Sequence, residues 1–425
     1  MKPTSAKISK SDAAGGVLIA GPVSAKRAPR ARFTFHGNVR DTRYGWLRLT
    51  PAYSVHLVRE LLDARARPEL PVLDPFCGTG TTLLACAERG IACTTLDVNP
   101  FLVWLARAKV AKYSPSALSQ AQNLIAEMSR AALGRGNAPW LPALFQIEKW
   151  WDRPTLHALG RAHAALQESN ASKPAQDLAK LAFCRSLIAA ANVSFGHQSM
   201  SFAETGAAPK RAAQQVSQAL LRAFAPIASA AASALPKSDA RALLGDSRRA
   251  ADFTGDLRFG TVITSPPYVN RMSYVRELRP YMYWLGFLEQ ARDAGELDWQ
   301  AIGGTWGAAT SRVAVWESAG KVPLTGLDTL VAQIATHSDV LSRYVLKYFV
   351  DMLSHVRSVS RMMARGGRVH YVVGNSKFFD ALVPAERLFA EIFELSGFRD
   401  ARVQELRKRT SKRELYEYLV SATKR

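Results

Sequence analysis

The stretch from Pro71 to Asp97 limits the fold more than any other. Pro71-Val72-Leu73-Asp74 is a short apolar run that stops at an acid, and Pro75-Phe76-Cys77-Gly78-Thr79-Gly80 follows as a tight glycine turn. Thr81 to Arg89 reads as a helix closed by Gly90, and Ile91 to Leu96 as a second strand that ends on Asp97. Strand, glycine turn, helix and a second strand with a terminal acid make a βαβ unit suited to a nucleoside cofactor. The glycines let the backbone approach the ligand, and the second acid can bond ribose hydroxyls. The turn is not GxGxxG and lacks the Lys-Ser/Thr of a phosphate-binding loop, so an NAD site is disfavoured. Asp74 sits where it could meet a cationic amine, which suits a cofactor with an amino-acid end better than one carrying pyrophosphate. Taken alone, the turn is also compatible with a plain βα connection.

A second stretch stands far along the chain. Thr261-Val262-Ile263 is a β-branched run that reads as a buried strand, and it runs into Thr264-Ser265-Pro266-Pro267-Tyr268. Consecutive prolines end a strand and fix the backbone around them. Ser265 and the Pro266 carbonyl could accept the N–H bonds of a flat polar group while Tyr268 covers its face. A planar base with an exocyclic amine is such a group. A lone Pro-Pro-Tyr is more often a rigid turn or a partner-binding motif, and it gains meaning only beside a cofactor site.

Together, Asp74-Pro75-Phe76-Cys77-Gly78-Thr79-Gly80 and Thr264-Ser265-Pro266-Pro267-Tyr268 resemble the amino-group DNA methyltransferases, the N4-cytosine and N6-adenine class that uses S-adenosylmethionine. The resemblance implies a Rossmann-like class I methyltransferase fold of the α/β class, with helices on both faces of the sheet. It implies cofactor contacts from Asp74, Phe76, Cys77, Gly78, Thr79 and Gly80, a ribose acid at Asp97 with Asn99-Pro100 just after it, and an acid reaching the cofactor adenine in Leu244-Gly245-Asp246-Ser247. Tyr44 to Ser54 is similar to the segment that closes over the cofactor loop. Ser265, Pro266, Pro267 and Tyr268 match the catalytic tetrapeptide. Serine at its head resembles the N4-cytosine members, whereas aspartate or asparagine is commoner among N6-adenine members. The implied reaction is methyl transfer to the amine of a flipped DNA base, most simply cytosine N4. N6-adenine methylation, an RNA base amine, or an inactive nucleic-acid-binding relative remain alternatives. The chain has no Pro-Cys dipeptide, which argues against carbon-5 cytosine methylation, where a cysteine attacks the ring.

Charge fits such a partner. Lys and Arg number 56 against 35 Asp and Glu, a net +21 over 425 residues, and a surplus of that size favours a polyanion. The four cysteines form no CxxC pair, so neither a zinc site nor a disulfide framework is expected, and a reducing, cytoplasmic setting fits. No run reaches the roughly 20 apolar residues of a membrane span. The segment Gly15 to Ala25 is too broken by glycine and proline to read well as a signal peptide.

The expected organisation is a basic flexible arm over 1–32, a cofactor-binding half over 33–113, a helical insertion over 114–240 and a catalytic half over 241–425. Thr50-Pro51 should open a helix with Val55, Val58, Leu61 and Leu62 on its buried face. Trp140, Trp150 and Trp151 read as core of the insertion rather than as a DNA-facing surface, and Asn192 to Phe202 could lie on DNA. Asn270, Arg271 and Tyr274 could flank the base, grip its phosphate, or cap a helix start. Gly303 to Gly307 and Thr310-Ser311-Arg312 sit in a loop-like insert. Ser338 to Arg365 reads as a long helix stopped by Gly366-Gly367, followed by a strand over Arg368 to Gly374, a helix over Pro384 to Ser396 and a closing hairpin of Ala401 to Leu406 with Glu414 to Ala422. Arg407-Lys408-Arg409 with Lys412-Arg413 should be an exposed basic turn. No metal site and no segment that reads the target sequence can be picked out, and a partner nuclease is neither required nor excluded.

Overall fold

The computed structural model describes residues 18–19, 33, 38, 42–47, 53–194, 201–202, 212–304, 308–318, 320–409 and 414–425. The basic arm, apart from Leu18–Ile19, lies outside them. Among the described residues twelve strands occur in chain order: β1 Leu18–Ile19, β2 Val72–Asp74, β3 Cys93–Asp97, β4 Val193–Ser194, β5 Ser201–Phe202, β6 Ala240–Leu244, β7 Phe259–Thr264, β8 Met363–Gly374, β9 Ser376–Phe378, β10 Ala381–Val383, β11 Phe398–Lys408 and β12 Tyr416–Lys424. Eight of them form one sheet in the order β1-β11-β12-β8-β7-β2-β3-β6, while β4 pairs with β5 and β9 with β10.

The run β8-β7-β2-β3-β6 is parallel throughout, and β12 is antiparallel to both β8 and β11. The Rossmann-like class I sheet is therefore present. Its centre buries both faces, as a parallel sheet must. Along β7, Val262 joins a core with the helices Asp339–Met362 and Ala385–Leu395, whereas its neighbour Ile263 joins one with the helices Val55–Asp63 and Thr81–Ala87. Leu73 and Val72 divide in the same way on β2. The two-residue alternation of a strand thus sends adjacent side chains into separate cores and puts helices on both faces.

Chain order reverses direction between β2 and β7. Successive strands run from β2 outward through β3 to β6, then return to the other side of β2 for β7 and β8. A sheet of this kind opens a crevice at the carboxyl ends of the strands where the reversal occurs. The strands that flank it end at Asp74 and Thr264.

Between Tyr113 and Ala240 the helices Pro115–Ala132, Arg153–Glu168, Lys173–Ala189 and Ala212–Ala232 pack together. Their core is continuous with Phe101, Leu102 and Leu105 of the helix Pro100–Val110 and with Val275, Tyr281, Met282 and Trp284 of the helix Tyr274–Trp284. Trp150 and Trp151 are buried in it, as expected, while Trp140 is half exposed and stacks on His163. Asn192 donates its backbone N–H to the Trp150 carbonyl, beside the β4–β5 hairpin. Residues 195–200 lie outside the described set.

Some boundaries move. Thr50-Pro51 fall outside the described residues, and the helix begins at Val55, capped by Ser54, whose side chain accepts from the His56 N–H. The helix expected to run to Arg365 ends at Met362, and β8 starts at once. Gly366 and Gly367 act not as a helix stop but inside a bulge of β8 against β7, where the register jumps from Phe259↔Met363 to Thr261↔Arg368. Gly366 there takes φ +73, and a Cβ on Gly367 would lie 2.9 Å from the Gly260 carbonyl.

Candidate active site

The turn after β2 is held from three sides. Cys77 donates its N–H to the Leu96 carbonyl, Gly80 donates to the Cys77 carbonyl, and Gly78 donates to Asp97 Oδ2 at 3.0 Å. Gly78 and Gly80 take φ of +48 and +74, which an L side chain adopts at a cost, and a Cβ on Gly80 would sit 3.0 Å from that of Ala106. Glycine is therefore required by both conformation and space at residue 80. A Cβ on Gly78 would meet nothing nearer than the Phe76 carbonyl at 3.9 Å, so the backbone there borders open space.

Asp74 is fully buried at the end of β2. Its Oδ1 accepts from the Thr264 hydroxyl at 2.6 Å and from the Phe76 N–H at 3.2 Å. Among the described residues its Oδ2 has no hydrogen-bond partner, although the Thr82 hydroxyl lies near enough to favour the charged carboxyl. Burial pushes its carboxyl up to about 7, against the pull of those donors. Asp97, at the end of β3, accepts from Asn99 and Gly78 N–H groups, and burial raises it to about 6. Asn99 caps the next helix by accepting from the Phe101 N–H. The carbonyl of Asp97 receives the Gly245 N–H, which brings the end of β6 alongside.

Ser265, Pro266, Pro267 and Tyr268 leave β7 beside this turn. The Ser265 hydroxyl donates to the Val372 carbonyl on β8 at 3.2 Å, so its oxygen remains as an acceptor, and it lies within reach of the Tyr268 hydroxyl. The Pro267 carbonyl accepts from the Tyr348 hydroxyl at 2.7 Å, whereas none of the described residues donates to the Pro266 carbonyl. Tyr274 accepts from the Tyr268 N–H, and Tyr344 accepts from the Arg271 N–H at 3.1 Å. Asn270 turns inward to accept from the Met272 N–H. Arg271 is exposed and takes φ +60, an uncommon conformation for a residue other than glycine. Gly303 packs next to the loop, since a Cβ there would lie within 3.7 Å of Tyr344, Tyr348 and the Tyr268 carbonyl. Thr305 to Gly307 lie outside the described residues. Thr310, Ser311 and Arg312 lie not in a loop, as expected, but in the helix Ala308–Val315, where Arg312 pairs with Glu296.

Asp246 lies just past the end of β6. Its carboxylate caps the Arg248 N–H and is gripped by the Arg248 guanidinium at 2.8–3.0 Å, which also pairs with Asp351 at 3.0 Å. Asp351 in turn holds Lys347 at 2.6 Å. Ser247 is buried, and its carbonyl can only accept, so His355 Nδ1 at 3.1 Å carries the proton. His355 Nε2 then accepts from the Tyr371 hydroxyl at 2.9 Å. Burial lowers His355 to about 4, leaving it neutral, and its ring lies 4.6 Å from that of Phe76.

Several of these side chains escaped the sequence reading. Tyr344, Tyr348, Asp351 and His355 lie at steps of three or four along one helix, a spacing that also fits an ordinary buried stripe. Lys109 is buried; its ammonium donates to the Thr79 carbonyl at 2.8 Å and to the Tyr44 carbonyl at 3.3 Å, and burial lowers it to about 7. Its signal was a lysine four and eight residues after Leu105 and Phe101, on an apolar face. Arg43 is buried as well and donates to the carbonyls of Lys109, Ala111, Ala230, Ala231 and Ser233, serving the ends of two helices at once. Tyr53 and Thr82 bring their hydroxyls together beneath the Ile263 carbonyl. The basic turn is not uniformly solvated: Arg407 donates to both carboxylate oxygens of Glu417 through Nε and Nη2, and Arg409 lies over the Tyr268 ring, 5.0 Å from its centroid. Lys412 and Arg413 are outside the described residues. Among the described residues no cluster of metal-ligating side chains occurs and no helix is long and apolar enough to cross a membrane.

No known protein-family profile matches the chain. M.AvaI of Nostoc sp., a type II methyltransferase, is 35% identical over 68 residues, which are 16% of this chain and 14% of that protein. M.MjaII of Methanocaldococcus jannaschii, also a type II methyltransferase, is 45% identical over 42 residues, 10% of this chain and 8% of that protein. Among solved structures, the rRNA methyltransferase aviRa from Streptomyces viridochromogenes aligns over 88% of this chain and 86% of its own at 14% identity, with a TM-score of 0.27, too loose to argue from. The chain therefore shares a short stretch of sequence with type II methyltransferases and spans only a small part of their length.

Proposed function

We propose that the chain is an S-adenosylmethionine-dependent methyltransferase that acts on the exocyclic amine of a nucleic-acid base, cytosine N4 in DNA. The observation that carries this reading is the hydrogen bond from Thr264 to Asp74, which joins the cofactor-type turn to the Pro-Pro-Tyr loop at adjacent strand ends.

The residues present fit the cofactor. Asp74 Oδ2 is a buried acceptor without a partner, and an ammonium placed there would return the carboxyl to its ionised form. The open backbone at Gly78 would take the methionine portion, and Asp97, which also accepts the Gly78 and Asn99 N–H groups, would take the ribose hydroxyls. Asp246, whose carboxylate Arg248 already grips, would have to share it with the adenine. When bound, S-adenosylmethionine supplies an electrophilic sulfonium methyl.

The chain's own residues then act on the base. An exocyclic amine is a poor nucleophile because its lone pair is shared with the ring. Ser265 Oγ and the Pro266 carbonyl accept its two N–H bonds and so favour the tetrahedral nitrogen that can attack. Tyr268 stacks on the base, a contact of roughly 1–3 kcal/mol. A duplex base has to be flipped to reach this site, at a few kcal/mol. The surplus of positive charge, through contacts to the phosphates, offsets that cost. No covalent intermediate on the enzyme is required.

The test is incubation of the full chain with labelled S-adenosylmethionine and duplex DNA, single-stranded DNA or bulk RNA, followed by nucleoside analysis. N4-methylcytosine from DNA is the expected product. N6-methyladenine, or label only in RNA, would redirect the assignment, and cofactor binding without transfer to any substrate would end it. Ser265→Ala is expected to lower transfer at least tenfold, with cofactor affinity kept.

A further inference from the structure

We propose that Arg409 is a positioning residue that fixes the ring of Tyr268 and assigns the base to the opposite face of that ring; this rests on the methyltransferase reading given above. Three elements converge to build the arrangement. The guanidinium of Arg409 lies over the Tyr268 ring at 5.0 Å, and its Nη1 donates to the Asn375 carbonyl at 2.7 Å. The backbone N–H of Arg409 donates to the Leu415 carbonyl at 2.8 Å. Asn375 is buried at the end of β8, donates to the Glu414 carbonyl and accepts the Tyr416 N–H, so it locks the mouth of the β11–β12 hairpin.

Gly374 permits the contact. A Cβ at this position would stand 2.7 Å from Arg409 Nη1 and 2.8 Å from Cδ2 and Cε2 of Tyr268. Any side chain there pushes the arginine and the tyrosine apart. The hairpin is thus tied to the proposed catalytic loop by a cation on one face of an aromatic ring. With one face covered by the guanidinium, the base is assigned to the other face of this part-exposed ring. The cation also draws π density toward itself, which makes that opposite face less negative and reduces its repulsion with the π face of a stacked base.

The experiment uses the full chain with labelled S-adenosylmethionine and unmethylated bulk duplex DNA. Arg409→Ala, Arg409→Lys, Arg409→Gln and Gly374→Ala are compared for cofactor Kd, for KM toward DNA and for kcat. Arg409→Ala and Gly374→Ala are expected to lower kcat about tenfold, within what a base–aromatic stack supplies. Cofactor Kd and KM should move less than about twofold, because phosphate contacts dominate affinity for DNA. Arg409→Lys should recover part of the loss, and Arg409→Gln, which is polar but uncharged and shorter, should not. An unchanged kcat in Arg409→Ala overturns the proposal, as does full recovery by Arg409→Gln. A raised kcat would mean that the guanidinium blocks the face the base needs, and overturns it too. If Arg409→Ala does not fold, the contrast between Arg409→Lys and Arg409→Gln decides. A wild-type chain that transfers no label overturns this inference together with the reading beneath it, whereas an active wild type with an equally active Arg409→Ala removes this inference alone.

Discussion

Asp74 carries the clearest cost at the level of single residues. Its pKa is about 7 in the folded chain against 3.8 for an ordinary aspartate, because the site is buried and one oxygen has no donor. Between about pH 4 and 7 the folded chain keeps a proton that the unfolded chain has released. The contribution of this residue to stability therefore falls as pH rises through that window, by up to about 4 kcal/mol. Asp74→Asn should remove the fall, raise the melting temperature at pH 8 and leave it nearly unchanged at pH 4, as thermal unfolding across pH would register. The same variant should weaken S-adenosylmethionine binding by at least about a hundredfold in calorimetry, since the ammonium loses its carboxylate. Affinity of the wild type should drop below pH 7 as Asp74 protonates. The place of Asp74 at the end of β2, before the glycine turn, was legible in the sequence, because an apolar run stopping at an acid and then at glycines marks a strand end. Lys109 was not: its role depends on the Thr79 and Tyr44 carbonyls, which come together only through folding.

The helix Asp339–Met362 explains why the Pro-Pro-Tyr loop holds its shape. Prolines fix their own φ but leave the loop free to swing as a body. Tyr348 pins the Pro267 carbonyl, and Tyr344 pins the Arg271 N–H one turn away. With the Pro267 carbonyl pinned, the preceding carbonyl, that of Pro266, has no donor among the described residues, and it is the one the proposed reaction uses. Tyr348→Phe removes one hydrogen bond and should cost about 0.5–1.5 kcal/mol of stability. Its larger effect should be on kcat, with cofactor affinity unchanged, because the cofactor turn is held by other groups. Steady-state kinetics beside cofactor titration would separate the two. An equal loss in both would show that the tyrosine serves the sheet rather than the loop. The Pro-Pro-Tyr loop was legible in the sequence and its support was not, since a tyrosine pair at helical spacing looks the same whether it meets a core or the carbonyl of a distant loop.

The whole molecule ties its helical segment to the site through Trp284. The sequence supported a helical segment between the two motifs but could not show what its apolar face would meet. That face meets the helix Tyr274–Trp284, which begins at the residue whose hydroxyl accepts from the Tyr268 N–H and ends in a fully buried tryptophan. Trp140, Trp151, His163 and Phe183 surround the Trp284 ring, all four contributed by residues 114–240. The shared core continues into Phe101 and Leu105, behind the cofactor turn. A lobe that folded by itself would bring its own closed core, and the rest of the chain would survive damage to it. A core shared in this way predicts the opposite. Trp284→Ala should cost about 3–5 kcal/mol, as large aromatic truncations in packed cores do. Unfolding should stay a single transition shifted to lower temperature, not split into an early and an unchanged late step. Methyl transfer should also fall at temperatures where the variant is still folded, because the cavity lies at the far end of the helix that aims Tyr268. Calorimetric unfolding beside the transfer assay measures both, and a split transition with activity intact would show the helical segment to be an independent lobe.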